Sequence, residues 1–199
     1  MINLIFFIKS PTVNLDNYTI KDIPGSSGRL DVISRCLLAA ILSEGDFELK
    51  VQMWVFLDNY GTFIFNPEFL EYEIFPKNEL LFTDYFVDLM QKYPINEDQH
   101  LNPLNSIRGS KMSITEAIKH FKKLDYNLYI LCEQGKDFFK LLNHIREKEK
   151  IVFIIGSQED EFLNSKELLA LKIPTISIGN QSYLASSVIR LLKLHILLL

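Results

Sequence analysis

Apolar and polar residues alternate along this chain in blocks that predict strands and helices in turn. Short apolar runs, typical of strands buried on both faces, lie at 2–8, 50–57, 127–132, 151–155 and 175–178. Stretches with helical spacing lie at 29–43, 79–92, 114–123, 136–148, 163–171 and 182–197. Because strand and helix alternate regularly after residue 127, the pattern predicts an α/β fold with a mostly parallel sheet and helices on both faces.

The middle of the chain has a weaker pattern. Strand-like aromatic residues at 62–74 are interrupted by an Asn-Pro pair, and a polar connection without a clear period runs over 93–112. Ser113 is followed three residues later by Glu116. This spacing predicts a capping box, in which the two side chains close the start of the next helix.

Composition limits the architecture. The chain has 199 residues, of which 48% are hydrophobic, so it can bury a core, and we expect one domain over residues 1–199. The longest apolar run, at 191–199, contains Lys193 and His195. It is far shorter than the roughly 20 residues of a membrane span, so no membrane partner is expected.

The spacing of cysteines and histidines predicts no metal site. Cys36 and Cys132 are far apart and match no metal or redox motif, which favours reduced thiols and a cytoplasmic protein. The four histidines fit no metal spacing either. His120 and His144 fall on predicted helices, where we expect surface or packing roles.

Three late strands end in small or polar turns, which is where open parallel sheets bind their ligands. These turns lie at 131–135, 156–159 and 177–182, and each contains a glycine. The glycines either turn the chain or, because they follow successive strands, line a shared pocket. No strand is followed by Gly-x-Gly-x-x-Gly, and there is no Gly-Lys-Ser/Thr loop, which disfavours a dinucleotide fold and a nucleotide triphosphatase.

The segment Gly25–Asp31 (Gly-Ser-Ser-Gly-Arg-Leu-Asp) combines a turn with the start of a helix. Backbone N–H groups at such a helix start suit an anion such as phosphate, and Arg29 can bind a phosphate through two parallel hydrogen bonds. Asp31 and Arg35 are four residues apart. They form either a salt bridge on the helix surface or, through Asp31, a contact with a base edge.

These residues carry a family resemblance. The stretch 22–40, which contains Gly25–Asp31, resembles the signature of the archaeal tRNA pseudouridine-54 N1-methyltransferases (TrmY) of the SPOUT superfamily. Residues 154–156 (Ile-Ile-Gly) resemble that family's strand and glycine, and 176–186 resembles its last knot loop and helix start. The resemblance covers most of the chain and is strongest at its two ends.

The resemblance implies a C-terminal trefoil knot, a homodimer, SAM as cofactor and RNA, with tRNA expected, as the partner methylated on N1 of a pseudouridine. The positions that would hold SAM are Leu131, Gly156, Ser177, Ile178, Gly179, Asn180, Gln181, Ser182 and Val188. Those that would contact RNA are Gly25, Ser26, Ser27, Gly28 and Arg35. Arg29 and Asp31 are the candidate catalytic residues, with Asp31 of the partner subunit orienting the base or accepting the N1 proton.

Three alternatives stay open. The same signature fits a pseudouridine methyltransferase that acts on ribosomal RNA. The net charge of −4, and a segment at 81–85 without the arginine of the family's middle motif, fit a homologue that binds SAM or RNA with little catalysis, since phosphate contacts need basic residues. The third alternative is an α/β protein with an unrelated small ligand.

Overall fold

A central sheet of seven strands organises the molecule. The computed structural model describes residues 2–92, 102–156, 162–163 and 165–198. The strands are β1 Asn3–Ser10, β2 Val51–Leu57, β3 Gly61–Phe65, β4 Arg108–Ser110, β5 Asn127–Asp137, β6 Lys150–Ile155 and β7 Thr175–Ser177. Their order across the sheet is β4-β3-β2-β1-β6-β5-β7.

The neighbouring strands β2, β1, β6, β5 and β7 run parallel, which confirms the predicted mostly parallel sheet. Antiparallel β3 and β4 extend its other edge, a feature that the pattern did not predict. β3 ends at Phe65 because the side chain of Asn66 caps a 3₁₀ turn over Pro67–Phe69. β4 lies within the connection expected at 93–112, of which residues 93–101 lie outside the described part.

Helices cover both faces of the sheet, as predicted. They are α1 Ile23–Ser26, α2 Leu30–Ile41, α3 Glu79–Lys92, α4 Ile114–Lys123, α5 Phe138–Arg146, α6 Lys166–Ala170 and α7 Ala185–Lys193, followed by a π-helical segment Leu194–Leu198. The helices α2, α3, α5 and α7 pack around a core that includes Phe6 and Phe153. The helices α4 and α6 pack on the opposite face around Phe7 and Trp54.

The observed helix boundaries agree best with the predicted ones where the sequence carries a local signal. α4 begins with the predicted capping box, in which the N–H of Glu116 donates to the Ser113 hydroxyl and the Glu116 carboxylate accepts the N–H of Ser113. α7 begins at Ala185 rather than at the predicted residue 182, because the chain up to Leu184 forms a loop. Within the described ranges, no helix is long and apolar enough to cross a bilayer.

The C-terminal end of α2 is closed by a side chain from α7. An α-helix leaves its last four carbonyl groups without partners inside the helix. The carbonyls of Leu38 and Ile41 accept N–H groups from the chain that follows. Those of Ala39 and Ala40 accept hydrogen bonds from Nζ of Lys193, at 2.9 and 3.1 Å. Burial of this ammonium group lowers the pKa of Lys193 to about 8.

Candidate functional site

The loop that follows β1 determines where α2 begins. Gly28 has a φ of +60°, and a Cβ at this position would overlap the carbonyl oxygen of Thr12, so only glycine fits. The hydroxyl of Thr12 also donates to the carbonyl of Gly28 at 3.0 Å. The carboxyl end of β1 therefore holds the start of α2 in place.

Arg29, Asp31 and Arg35 form a charged cluster at this helix start. Nε and Nη2 of Arg29 donate to the two carboxylate oxygens of Asp31 at 3.0 and 3.2 Å, and Nη2 of Arg35 donates to Oδ2 at 2.7 Å. The Asp31 side chain is only 4% exposed, whereas those of Arg29 and Arg35 are 43% and 38% exposed. The predicted Asp31–Arg35 salt bridge is therefore present, with a buried carboxylate instead of a surface one.

The conformation of Arg29 is unusual for a residue with a side chain. Its φ is +69°, in the left-handed region, which costs a non-glycine residue roughly 1–2 kcal/mol. Its hydrogen bonds to Asp31 raise the pKa of Arg29 above the ordinary value, so the guanidinium group stays charged. Such strain is typical of residues that are held in place for a function.

Hydrogen bonds within the protein use groups of the turn before α2 that the sequence analysis assigned to RNA. The N–H of Gly25 donates to the carboxylate of Asp22 at 3.1 Å, so a negatively charged side chain already occupies the expected phosphate position. Ser27 is fully buried and its hydroxyl bonds to backbone groups on either side. Ser27 therefore has no exposed surface in this structure, and its contact with RNA stays a prediction. Gly25, Ser26 and Gly28 are exposed or half-buried.

The second part of the site lies at the carboxyl ends of β5, β6 and β7. β5 pairs with β6 up to Ile130 and with β7 at Leu131, so Leu131, in the middle of β5, lies near Gly156 after β6 and Ser177 at the end of β7. The turn predicted at 131–135 is instead an irregular part of β5, which continues to Asp137. Residues 157–159 of the middle turn lie outside the described residues.

An open loop connects β7 to α7. The Ser177 hydroxyl donates to the carbonyl of Gly179 at 2.6 Å and accepts its N–H at 3.2 Å, which fixes a tight turn at the end of β7. The exposed candidate cofactor residues are Asn180, Gln181 and Ser182, and the half-buried ones are Ile178, Gly179 and Val188. The loop therefore presents polar groups above an apolar base.

The chain around Gly135 passes very close to β7. Leu131 and Lys136 both pair with Ile176, so the residues between them leave the ladder. A Cβ on Gly135 would overlap the backbone of Ile176. This glycine permits the close approach of two chain segments and does more than turn the chain.

The segment 81–85, which diverges from the family's middle motif, contacts the loop that leads to Gly25. Asp84 of α3 accepts a hydrogen bond from the Tyr18 hydroxyl at 3.2 Å. Burial, together with the negative charge of Asp84, raises the pKa of Tyr18 to about 12. Because Tyr18 lies in the loop that leads to Gly25, this contact anchors the loop to α3.

No metal site is found in the part of the chain that the structure describes, where no three His, Cys, Asp or Glu side chains cluster suitably. His120 and His144 are exposed on α4 and α5, as expected, and His100 lies outside the described residues. Cys36 and Cys132 form no disulfide. Burial raises the pKa of Cys36 to about 12, which makes that thiol unreactive.

The fold and the site define a class of protein. It is an α/β protein with small and polar turns at the carboxyl ends of its parallel strands, where such folds bind ligands, and with an arginine cluster at the same edge. A model of a family described as putative SAM-dependent RNA methyltransferases matches residues 4–198. The chain belongs to this family, in agreement with the methyltransferase class and the SAM cofactor that the sequence predicted.

Several curated relatives match nearly the whole chain. The tRNA (pseudouridine(54)-N(1))-methyltransferase of Pyrococcus abyssi is 28% identical over 203 residues, covering 96% of this chain and 96% of the relative. The enzyme with the same name from Thermococcus kodakarensis is 29% identical and covers 92% and 93%. These matches support the family resemblance drawn from the Gly25–Asp31 segment and the C-terminal loops.

A solved structure has the same fold. Nep1 from Archaeoglobus fulgidus, crystallised with S-adenosylhomocysteine, superposes with a TM-score of 0.63 and covers 98% of this chain and 97% of its own. Sequence identity is 16%, so this likeness concerns the fold alone.

Proposed function

We propose that this protein methylates N1 of the pseudouridine at position 54 of tRNA, with SAM as the methyl donor. The observation that carries the proposal is end-to-end similarity to relatives that share this one reaction. The charged cluster of Arg29, Asp31 and Arg35 supports it, because this cluster lies at the same sheet edge as the ends of β5, β6 and β7. Cofactor and RNA would then meet at one edge, in a cytoplasmic protein.

The residues at the strand ends fit SAM. Leu131 and Val188 offer apolar surface to an adenosine, and the loop from Ser177 to Ser182 offers backbone and hydroxyl groups to its polar atoms. Gly156 leaves room for close approach at the end of β6. When bound, SAM supplies an electrophilic methyl group that an acceptor nitrogen can attack in line.

A C-terminal knot and a homodimer are further parts of the proposal, as is one domain over residues 1–199. The close crossing at Gly135 supports the knot, because a threaded chain needs such a tight passage. Apolar side chains support the dimer: Phe139, Leu194 and Leu198 are 46%, 43% and 62% exposed, and the ring of Phe139 lies 5.2 Å from that of His195. This apolar surface of α5 and the C-terminal segment suits a second copy of the chain.

The arginine cluster would hold the RNA and position the target base. Guanidinium groups keep a positive charge that attracts phosphate, and Arg29 and Arg35 are partly exposed. Both oxygens of Asp31 already accept hydrogen bonds from these arginines. Asp31 therefore serves as the residue that orients them, which is a better fit than the role of proton acceptor.

The target nucleotide has to leave its base stack to reach a methyl group bound at the strand ends. Catalysis then consists largely of holding donor and acceptor in line at about 3–3.5 Å. N1–H of pseudouridine is weakly acidic, so water or a modest base can take its proton.

Mass spectrometry of nucleosides tests the proposal. tRNA transcripts carrying pseudouridine or uridine at position 54 are incubated with the full chain and SAM, then digested. We expect a methyl group on pseudouridine and none on uridine, because uridine has no N1–H. A protein that binds SAM but methylates neither transcript would refute the proposed activity, and methylation of ribosomal RNA alone would change the substrate.

A further inference from the structure

A cavity lies beside the carboxyl ends of β1 and β2, on the face of the sheet that α4 and α6 cover. Its volume is about 570 Å³, within the range of small-ligand sites. Residues of β1, β2, the start of α4 and the segment before α6 line it, including Lys9, Phe56, Lys111 and Phe162. None of these residues belongs to the SAM or arginine sites described above.

The end of β1 separates this cavity from the arginine cluster. Pro11 lines the cavity, and the next residue, Thr12, donates through its hydroxyl to Gly28, directly before Arg29. The two sites therefore lie on opposite sides of one short stretch of backbone. An RNA strand that crosses the sheet edge at Arg29 can reach the cavity with its next nucleotides.

The cavity combines aromatic surface with two lysines, Lys9 and Lys111, and two acidic residues, Asp58 and Glu167. Nζ of Lys9 lies 5.2 Å from the ring centre of Phe162 and forms an ion pair with Asp58 at 3.0 Å. Lys111 is exposed and pairs with no acidic side chain among the residues that the structure describes. Aromatic rings next to a cationic group are the features with which proteins hold single-stranded nucleic acid, by stacking and by phosphate contact.

Other groups in the cavity narrow the choice of ligand. The start of α4 already holds a carboxylate, because Glu116 accepts the N–H of Ser113, and this negative charge disfavours a phosphate there. Glu167 also lines the cavity, and a carboxylate accepts hydrogen bonds from the amino groups of bases. The charge pattern thus suits a base inside the cavity and a phosphate at its rim, beside Lys111.

We infer that this cavity takes one unstacked nucleotide of the substrate RNA, other than the nucleotide that is methylated. The base lies against the ring of Phe162 and the phosphate lies at Lys111. The inference rests on the proposed function, because it assumes that RNA crosses this edge of the sheet. The cavity would give the RNA strand a second contact with the protein, on the far side of β1.

Affinity for tRNA, measured by fluorescence anisotropy over a series of salt concentrations, tests the inference. Lys111→Gln should weaken binding and reduce the slope of log Kd against log salt by about 0.7–0.9, the value for one phosphate contact. Phe162→Leu keeps apolar volume but removes the ring, and should weaken binding about 5-fold or more. Phe162→Tyr, which keeps a ring for stacking, should bind like the wild type.

A matched lysine provides the control. Lys123 is exposed on α4 and does not line the cavity, so Lys123→Gln should leave affinity and slope unchanged. SAM affinity and the unfolding midpoint of each variant show that it is folded. Suppose that the wild type methylates tRNA. If Lys111→Gln and Phe162→Leu then bind tRNA as tightly as the wild type, or if Lys123→Gln weakens binding equally, the inference is wrong and the proposed function stands. If the wild type binds SAM but no RNA, both fail.

Discussion

The two ends of helix α2 are each built around a buried ion, and the partners of the two ions differ. At the N-terminal end the carboxylate of Asp31 accepts hydrogen bonds from the side chains of Arg29 and Arg35, which reach the surface. At the C-terminal end the ammonium group of Lys193 donates to three backbone carbonyls.

This difference separates a charge that we propose to be functional from one that is structural. The ion pairs of Asp31 hold two guanidinium groups that are partly exposed to solvent, where the proposed function places the RNA. The hydrogen bonds of Lys193 use all three N–H donors of an ammonium group on carbonyls that the helix leaves unpaired. Burial alone does not distinguish the two ends, since both ions are almost fully buried.

Two glycines flank α2, Gly28 before it and Gly45 after it. Alanine substitutions at these two positions should give the largest difference in stability between the two ends of the helix. Gly28→Ala should lower the free energy of unfolding by about 3–5 kcal/mol, because its Cβ would overlap the Thr12 carbonyl at a left-handed position. Gly45 follows α2 at a φ of +75°, and a Cβ added there would meet no atom within 4 Å, so Gly45→Ala should cost only about 1–2 kcal/mol. Urea denaturation measures both, and equal losses would show that the contact with Thr12 is unimportant.

Asp31→Asn tests the N-terminal end. The amide keeps the shape of the carboxylate but loses its charge, so Arg29 and Arg35 are no longer held by ion pairs. We expect methyl transfer to tRNA to fall about 100-fold, since misplacement by about 1 Å can cost this much. SAM affinity should not change, and a variant that lost both would point to a folding defect.

Lys193→Met tests the C-terminal end. The substitution leaves the carbonyls of Ala39 and Ala40 without their donor, which should lower the free energy of unfolding by about 1–3 kcal/mol. Methyl transfer per folded molecule should stay at the wild-type rate. A large loss of activity in fully folded protein would mean that this end also takes part in function.

The pH dependence of stability tests the burial of Lys193. Burial lowers the pKa of Lys193 to about 8 from its ordinary value of 10.5. Between these two pH values the unfolded chain keeps the proton and the folded chain loses it, so the free energy of unfolding rises with pH in this window. Lys193→Met should lack this rise, and parallel pH profiles for the two proteins would contradict the role of burial.

Much of the fold could be predicted because its signals are local. The bounds of α3 and α4 agree with the sequence pattern, and the capping box at Ser113 specifies the start of α4 on its own. The sequence predicts that Leu131, Gly156 and Ser177 lie close together, because the carboxyl ends of parallel strands meet at one edge of a sheet.

Other features depend on contacts between distant parts of the chain. Lys193 meets the end of α2 across about 150 residues of sequence, and nothing in its neighbourhood predicts that partner. The burial of Ser27 and the left-handed conformation of Arg29 follow from packing against the loop after β1. The sequence could not separate the residues of this segment that face solvent from those that hold the turn.

Arg29 at the start of α2, held in place by Asp31, is the residue that we expect to position RNA for methyl transfer. Single-turnover transfer to pseudouridine-containing tRNA by Arg29→Lys tests this role, because lysine keeps the charge but cannot form the two parallel hydrogen bonds that hold Arg29 on Asp31. We predict a rate at least about 10-fold below the wild type, with SAM affinity unchanged in a variant that is folded at the assay temperature. A wild-type rate in Arg29→Lys would contradict the account.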